Sequence, residues 1–148
     1  MPLRAVLFAI LALAANPAAL AVDYVRLSPG EFAEDLAKAS LLAQHGRYSQ
    51  AVEILTVLIA DEPRDADALS LMGFSLRKQG DFEQAERYYM RALAIAPDHL
   101  GANQYLGELY VEQERIGEAR ERLAVLAKQC PAVCPGRDAL AAAIAAAE

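Results

Sequence analysis

The sequence predicts an all-α protein, an α-solenoid of three helix-turn-helix units closed by a short C-terminal helix. Three observations predict it. Pro63, Pro97 and Pro131 mark a repeat of 34 residues in a chain of 148. Each repeat divides around a helix breaker near its middle. The composition, with 32 alanines, no tryptophan and 7% aromatic residues, suits close helix-on-helix contact better than strands, which prefer branched and aromatic side chains. Lys and Arg number 14 against 20 Asp and Glu, a formal charge of −6, so no electrostatic footprint for nucleic acid or anionic lipid is expected.

The elements follow in order along the chain. Residues 1–21 read as a secretory signal peptide: Arg4 gives a positive start, Ala5 to Ala14 are apolar throughout, and Ala19-Leu20-Ala21 is an A-x-A cleavage site before Val22. A run of that length is about half of what a membrane span needs, so cleavage is expected, with a retained anchor as the other reading. No membrane span follows in the mature chain, and the expected location is periplasmic or secreted. Residues 22–31 are an N-terminal lead-in ending in Ser28-Pro29-Gly30-Glu31, a capping box with Pro at the first helical position.

Three repeats then occupy 32–133, as 32–65, 66–99 and 100–133. Ala51, Ala85 and Ala119 share the spacing, as do Tyr48, Phe82 and Ile116, and Leu42, Leu76 and Tyr110. Gly73 and Gly107 match, with Ala39 one period earlier; Gly46 and Gly80 match, with Glu114 as the exception. Within the second repeat, Leu69, Met72, Gly73 and Leu76 share one helical face, and Phe82, Ala85, Tyr89, Ala92 and Leu93 another. Gly73 and Ala85 are small, so the paired backbones are expected to lie close. Asp81 can cap the second helix and Pro97 stops it. Residues 134–148 form a capping helix, with Leu140 and Ile144 four apart among alanines. At this length it depends on docking.

These residues resemble the tetratricopeptide repeat. In the middle copy, Leu69, Met72-Gly73, Leu76, Gly80, Phe82, Ala85, Tyr89, Ala92 and Pro97 stand where the family consensus has them. The outer copies depart from it, with Leu58 and Leu126 in place of a small alanine and Asp35 and Asn103 in place of a large apolar residue. The resemblance implies a right-handed solenoid of the kind exported by bacteria, whose first helices line a concave groove. It places Leu36 and Ser40 of the first copy, Ser70, Leu71, Phe74, Arg77 and Lys78 of the second, and Gln104, Tyr105, Glu108 and Glu112 of the third in a partner-binding groove. Ala33, Ala37, Asp67 and Gly101 fall on the same face. Two readings stand for Phe74 and Tyr105, a groove strip or plain packing, and two for Arg77 and Lys78 opposite Glu108 and Glu112, partner contact or interhelical ion pairing. Chaperone-binding members clamp a terminal carboxylate with Lys, Asn and Arg. Leu36, Ser40, Leu71, Phe74, Gly101 and Tyr105 hold those places here, so tail clamping is not expected.

Cys130 and Cys134, in CPAVCP, admit three readings: a structural disulfide, as an exported chain with paired cysteines suggests; a redox or copper-handling dithiol, since an envelope copper-delivery family carries C-x-x-x-C-P; or free thiols. Two sulfurs with His45 and His99 elsewhere make no complete metal site, and neither metal nor cofactor is expected. No G-x-S-x-G, H-E-x-x-H or G-x-x-x-x-G-K is present in the sequence. The expected function is therefore a non-catalytic protein–protein scaffold or adaptor of the cell envelope, holding a protein or peptide segment in its groove. The alternatives are a thiol or copper-handling accessory and a self-assembling homo-oligomer.

Overall fold

The computed structural model describes residues 26–130 and 132–148; the expected signal peptide lies outside the described residues. Among the described residues seven helices follow one another: α1 (Pro29–Gln44), α2 (Tyr48–Asp61), α3 (Ala66–Lys78), α4 (Phe82–Ile95), α5 (Leu100–Glu112), α6 (Ile116–Gln129) and α7 (Pro135–Ala146). Among the described residues there is no strand. Each helix packs on the next, as α1 on α2, α3 on α4 and α5 on α6. In addition α1 touches α3 and α3 touches α5, whereas no described contact joins α2 to α4 or α4 to α6. The odd-numbered helices converge and the even-numbered ones spread, so the stack is an α-solenoid curved toward the first helix of each hairpin.

Local chemistry sets the helix ends. Ser28 Oγ accepts from the Glu31 backbone N–H at 3.3 Å, and the Glu31 carboxylate accepts from the Ser28 N–H at 2.9 Å, completing the capping box. The Ser28 hydroxyl, which donates to the Glu31 carboxylate at 2.7 Å, and then the Ser28 N–H hold that carboxyl below its usual range. Helix α1 thus begins at Pro29, three residues ahead of Phe32, because the cap and the Pro decide the start and the apolar period does not. Asp65 caps α3 and Asp81 caps α4. The lead-in is held as well, with the Leu27 N–H donating to Asp61 at the end of α2.

Each hairpin turns through the same left-handed residue. Gly46, Gly80 and Glu114 have φ of 74°, 86° and 61°. Behind each, a backbone bond closes the helix: Arg47 N–H to Leu42 O, Asp81 N–H to Leu76 O, and Arg115 N–H to Tyr110 O, at 2.9, 3.0 and 2.8 Å. Glu114, the one break in the glycine pattern, therefore keeps the conformation and carries the strain. The following residue compensates. Arg115 stacks 4.2 Å over the Tyr110 ring and donates to Glu86 and Glu118, tying α4 to the third hairpin.

The core is continuous, with Ala39, Leu55, Leu69, Tyr89, Leu106, Ala119 and Leu140 all at 0% exposure. Leu58 and Leu126, the departures from the family pattern, fill that core. Asn103, a further departure, is buried and donates to the carbonyls of Pro97 and His99, fastening the bend between second and third repeats. What faces Gly73 is the Tyr89 ring, whose Cε1 would lie 2.7 Å from an added Cβ. It is thus a ring, not a bare backbone, that requires the glycine.

Candidate partner-binding groove

The converging helices enclose a concave groove of about 540 Å³. Helix α1 contributes Ala33, Leu36, Ala37 and Ser40; α3 contributes Asp67, Ser70 and Leu71; the start of α5 contributes His99, Gly101 and Tyr105. Leu36, Leu71 and Tyr105 are half-buried, so part of each apolar side chain remains open to the groove. At Gly101 an added Cβ would meet His99 Cε1 at 3.4 Å and Ser70 Oγ and Tyr105 at 3.6 Å, ordinary contact distances at the α3–α5 seam.

Leu36, Ser40, Ser70, Leu71 and Tyr105 thus lie together on the floor. The other six predicted residues form a second, connected block beyond Tyr105. Phe74 is half-buried, with its ring 4.9 Å from Tyr105 and edge-on to Tyr48 at 6.2 Å. Arg77 is 3% exposed and donates to Glu108 at 2.6 Å and Glu112 at 2.8 Å, joining α3 to α5. Its guanidinium also lies 5.9 Å from both the Phe74 and Tyr105 rings. Gln104 donates to Glu108, and exposed Lys78 sits 5.6 Å over Phe74. Arg77 is therefore a buried strut and not a free groove charge. Burial opposes its charge, but Tyr89, Glu108 and Glu112 more than offset that and hold it above its ordinary value. Burial, with Glu108 adding, pushes the Tyr105 phenol up.

His99 stands immediately before α5. It is the N-cap of α5: Nδ1 accepts from the Ala102 N–H at 3.0 Å, which leaves the proton on Nε2 to be donated to Asp67 at 2.9 Å. The signal was its place just before the third repeat, a position that Asp65 fills with a conventional cap one period earlier. Asp67 keeps a 76% exposed side chain at the groove rim. Among the described residues no group of three or more His, Cys, Asp and Glu is placed to hold a metal ion. Cys130 and Cys134 lie at disulfide distance, Cα to Cα 5.7 Å, across the α6–α7 bend.

Fold and groove together define a helical-hairpin scaffold, and comparison with known proteins agrees. Residues 76–146 match the family model of the tetratricopeptide repeat. The chain is 36% identical over 62 residues to human (Homo sapiens) DnaJ homolog subfamily C member 7, a match covering 42% of this chain and 13% of that protein. Among solved structures, PcrH in complex with the chaperone binding region of PopB superposes with a TM-score of 0.69 at 21% identity, covering 84% of this chain and 100% of that one. The Yersinia enterocolitica type III secretion chaperone SycD, in complex with a peptide of the translocator YopD, superposes with a TM-score of 0.67 at 16% identity, covering 81% and 91%. At those identities the likeness is one of fold.

Proposed function

We propose that the chain is a tetratricopeptide protein across residues 32–133, of the bacterial exported type, and that it acts as a non-catalytic scaffold of the cell envelope. Its groove holds an extended peptide segment of a protein partner. The observation that carries this reading is the groove floor, three half-buried apolar side chains from α1, α3 and α5, set against a wall that Arg77 braces from inside. A floor open to solvent beside a rigid support lets a partner bury apolar area without reorganising the scaffold. That PcrH and SycD were solved with segments of their partners supports the same use of this fold. The signal peptide read from residues 1–21 supports export.

The test is site-specific photo-crosslinking in the native envelope. A crosslinker at Ala37, on the groove rim, should capture one partner that a crosslinker at Thr56, on the opposite helix of the hairpin, does not. Leu36→Lys with Leu71→Lys should abolish the capture. Capture at Thr56 alone would overturn the groove assignment. The N-terminus of the protein recovered from the envelope should be Val22; Met1 or Pro2 there would remove the cleavage. Sedimentation of the pure protein separates a scaffold from a self-assembling one, since a concentration-dependent mass would favour assembly.

A further inference from the structure

We propose that the Cys130–Cys134 disulfide is a reversible exchange centre, an oxidant for a client dithiol, and not a passive staple. The inference does not rest on the groove. Cys130 ends α6 and Cys134 is the N-cap of α7, so the pair closes the bend between two helices. Access to the two differs. Cys134 is 3% exposed, whereas Cys130 is half-exposed, and Val133 in the loop between them, at 88% exposure, offers a client an apolar contact. An incoming thiolate therefore meets Cys130 Sγ, and Cys134 becomes the leaving group.

The surroundings favour that departure. Cys134 stands at the start of a 12-residue helix that has no side-chain cap and has Pro at its first position. The first-turn N–H groups of such a helix have no intrahelical acceptor and its dipole favours a thiolate. Arg137, one turn in, reaches back over the loop and donates from Nη1 to Cys130 O at 2.8 Å and from Nη2 to Ala132 O at 3.0 Å. Asp138, which accepts from Arg137 Nε, is the nearby counter-charge. A leaving thiol stabilised as thiolate breaks away faster and makes the couple more oxidising.

The chemistry balances. A client thiolate attacks Cys130 Sγ, the S–S bond breaks, and its electron pair goes to Cys134, leaving a client–Cys130 mixed disulfide. The client's second thiol loses its proton and displaces Cys130. The client leaves as a disulfide, and the protein holds both thiols, having gained two electrons and two protons. Arg137 is a positioning residue in this step; the sulfurs do the chemistry.

The test uses the full chain, with glutathione as the probe. The folded protein should exchange reversibly with millimolar glutathione. Cys134→Ser should collect the adduct on Cys130, while Cys130→Ser stays unmodified at Cys134 until unfolded. Arg137→Met should move the equilibrium toward the disulfide by about tenfold, and Arg137→Lys should recover most of that. Thermal unfolding of Arg137→Met in each redox state separates this from a structural role, which would lower both states equally. Resistance to glutathione until the protein unfolds, a faster adduct on Cys134, or an equilibrium unmoved by Arg137→Met would each overturn the proposal.

Discussion

Gly73 and Gly107 occupy the same place in successive repeats, yet different neighbours press on them. Above Gly73 lies the ring of Tyr89, from the second helix of the same hairpin. Above Gly107 lies Leu140, from α7, whose Cδ1 would sit 2.9 Å from an added Cβ. One glycine lets a hairpin close on itself, and the next lets the terminal helix dock. The third repeat carries Leu123 where the second has Tyr89, and α7 supplies the side chain that lies against Gly107. A single repeat pattern thus serves closure in the middle of the array and capping at its end.

The largest effect that could break this comparison is the loss of the α7 anchor. Leu140→Ala should cost about 2–5 kcal/mol, because the side chain is fully buried. If α7 is only an appendage, denaturant unfolding will show a smaller loss or a separate early transition. Next come the glycines. Gly73→Ala and Gly107→Ala should each cost about 1–3 kcal/mol, since both added methyls meet packed side chains. The two should differ on rescue. Leu140→Ala should remove most of the Gly107→Ala penalty, a coupling of about 1 kcal/mol or more, whereas Tyr89→Phe should leave the Gly73→Ala penalty standing because the ring stays.

Alkaline titration sharpens the contrast further. Burial pushes the Tyr110 phenol up to about 12, with Glu86 adding to the rise, and burial likewise pushes Tyr89 and Tyr105 up. An unfolded phenol titrates near pH 10, so the folded state releases these protons later. The stability they provide is whole below about pH 10 and is lost as pH rises toward about 12. Denaturant midpoints between pH 8 and pH 12 should therefore fall, and Tyr110→Phe should flatten the fall. A residual slope reports the tyrosines around Gly73 and the groove; an unchanged slope would remove Tyr110 from the account.

The smallest effect concerns the turns. Glu114→Gly should stabilise the third hairpin by up to about 1 kcal/mol, and Gly80→Ala should destabilise the second by about the same amount. Equal and negligible effects would mean that the left-handed turn is not strained at Glu114.

Much of this was legible along the chain. The period placed the hairpins, and the Ser28 and Asp81 caps stand where the spacing put them; the family resemblance set Leu36, Leu71 and Tyr105 on one face. Gly73 was legible as small but not as the seat of a ring. Arg77 was legible as a charge opposite Glu108 and Glu112, but not as a buried strut. His99 was not legible as a cap, because a histidine seldom fills that role and its partner Asp67 lies 32 residues earlier.

What the sequence determined by itself is the local part: which segments are helical, where each starts and turns, and which face of each is apolar. Those depend on caps, breakers and spacing within a turn or two of chain. The tertiary structure alone decided which side chain fills Gly107, why Glu114 can hold a glycine's conformation, and how deeply Arg77 is sunk. Each depends on residues brought together from distant positions, whose packing and desolvation no local pattern encodes.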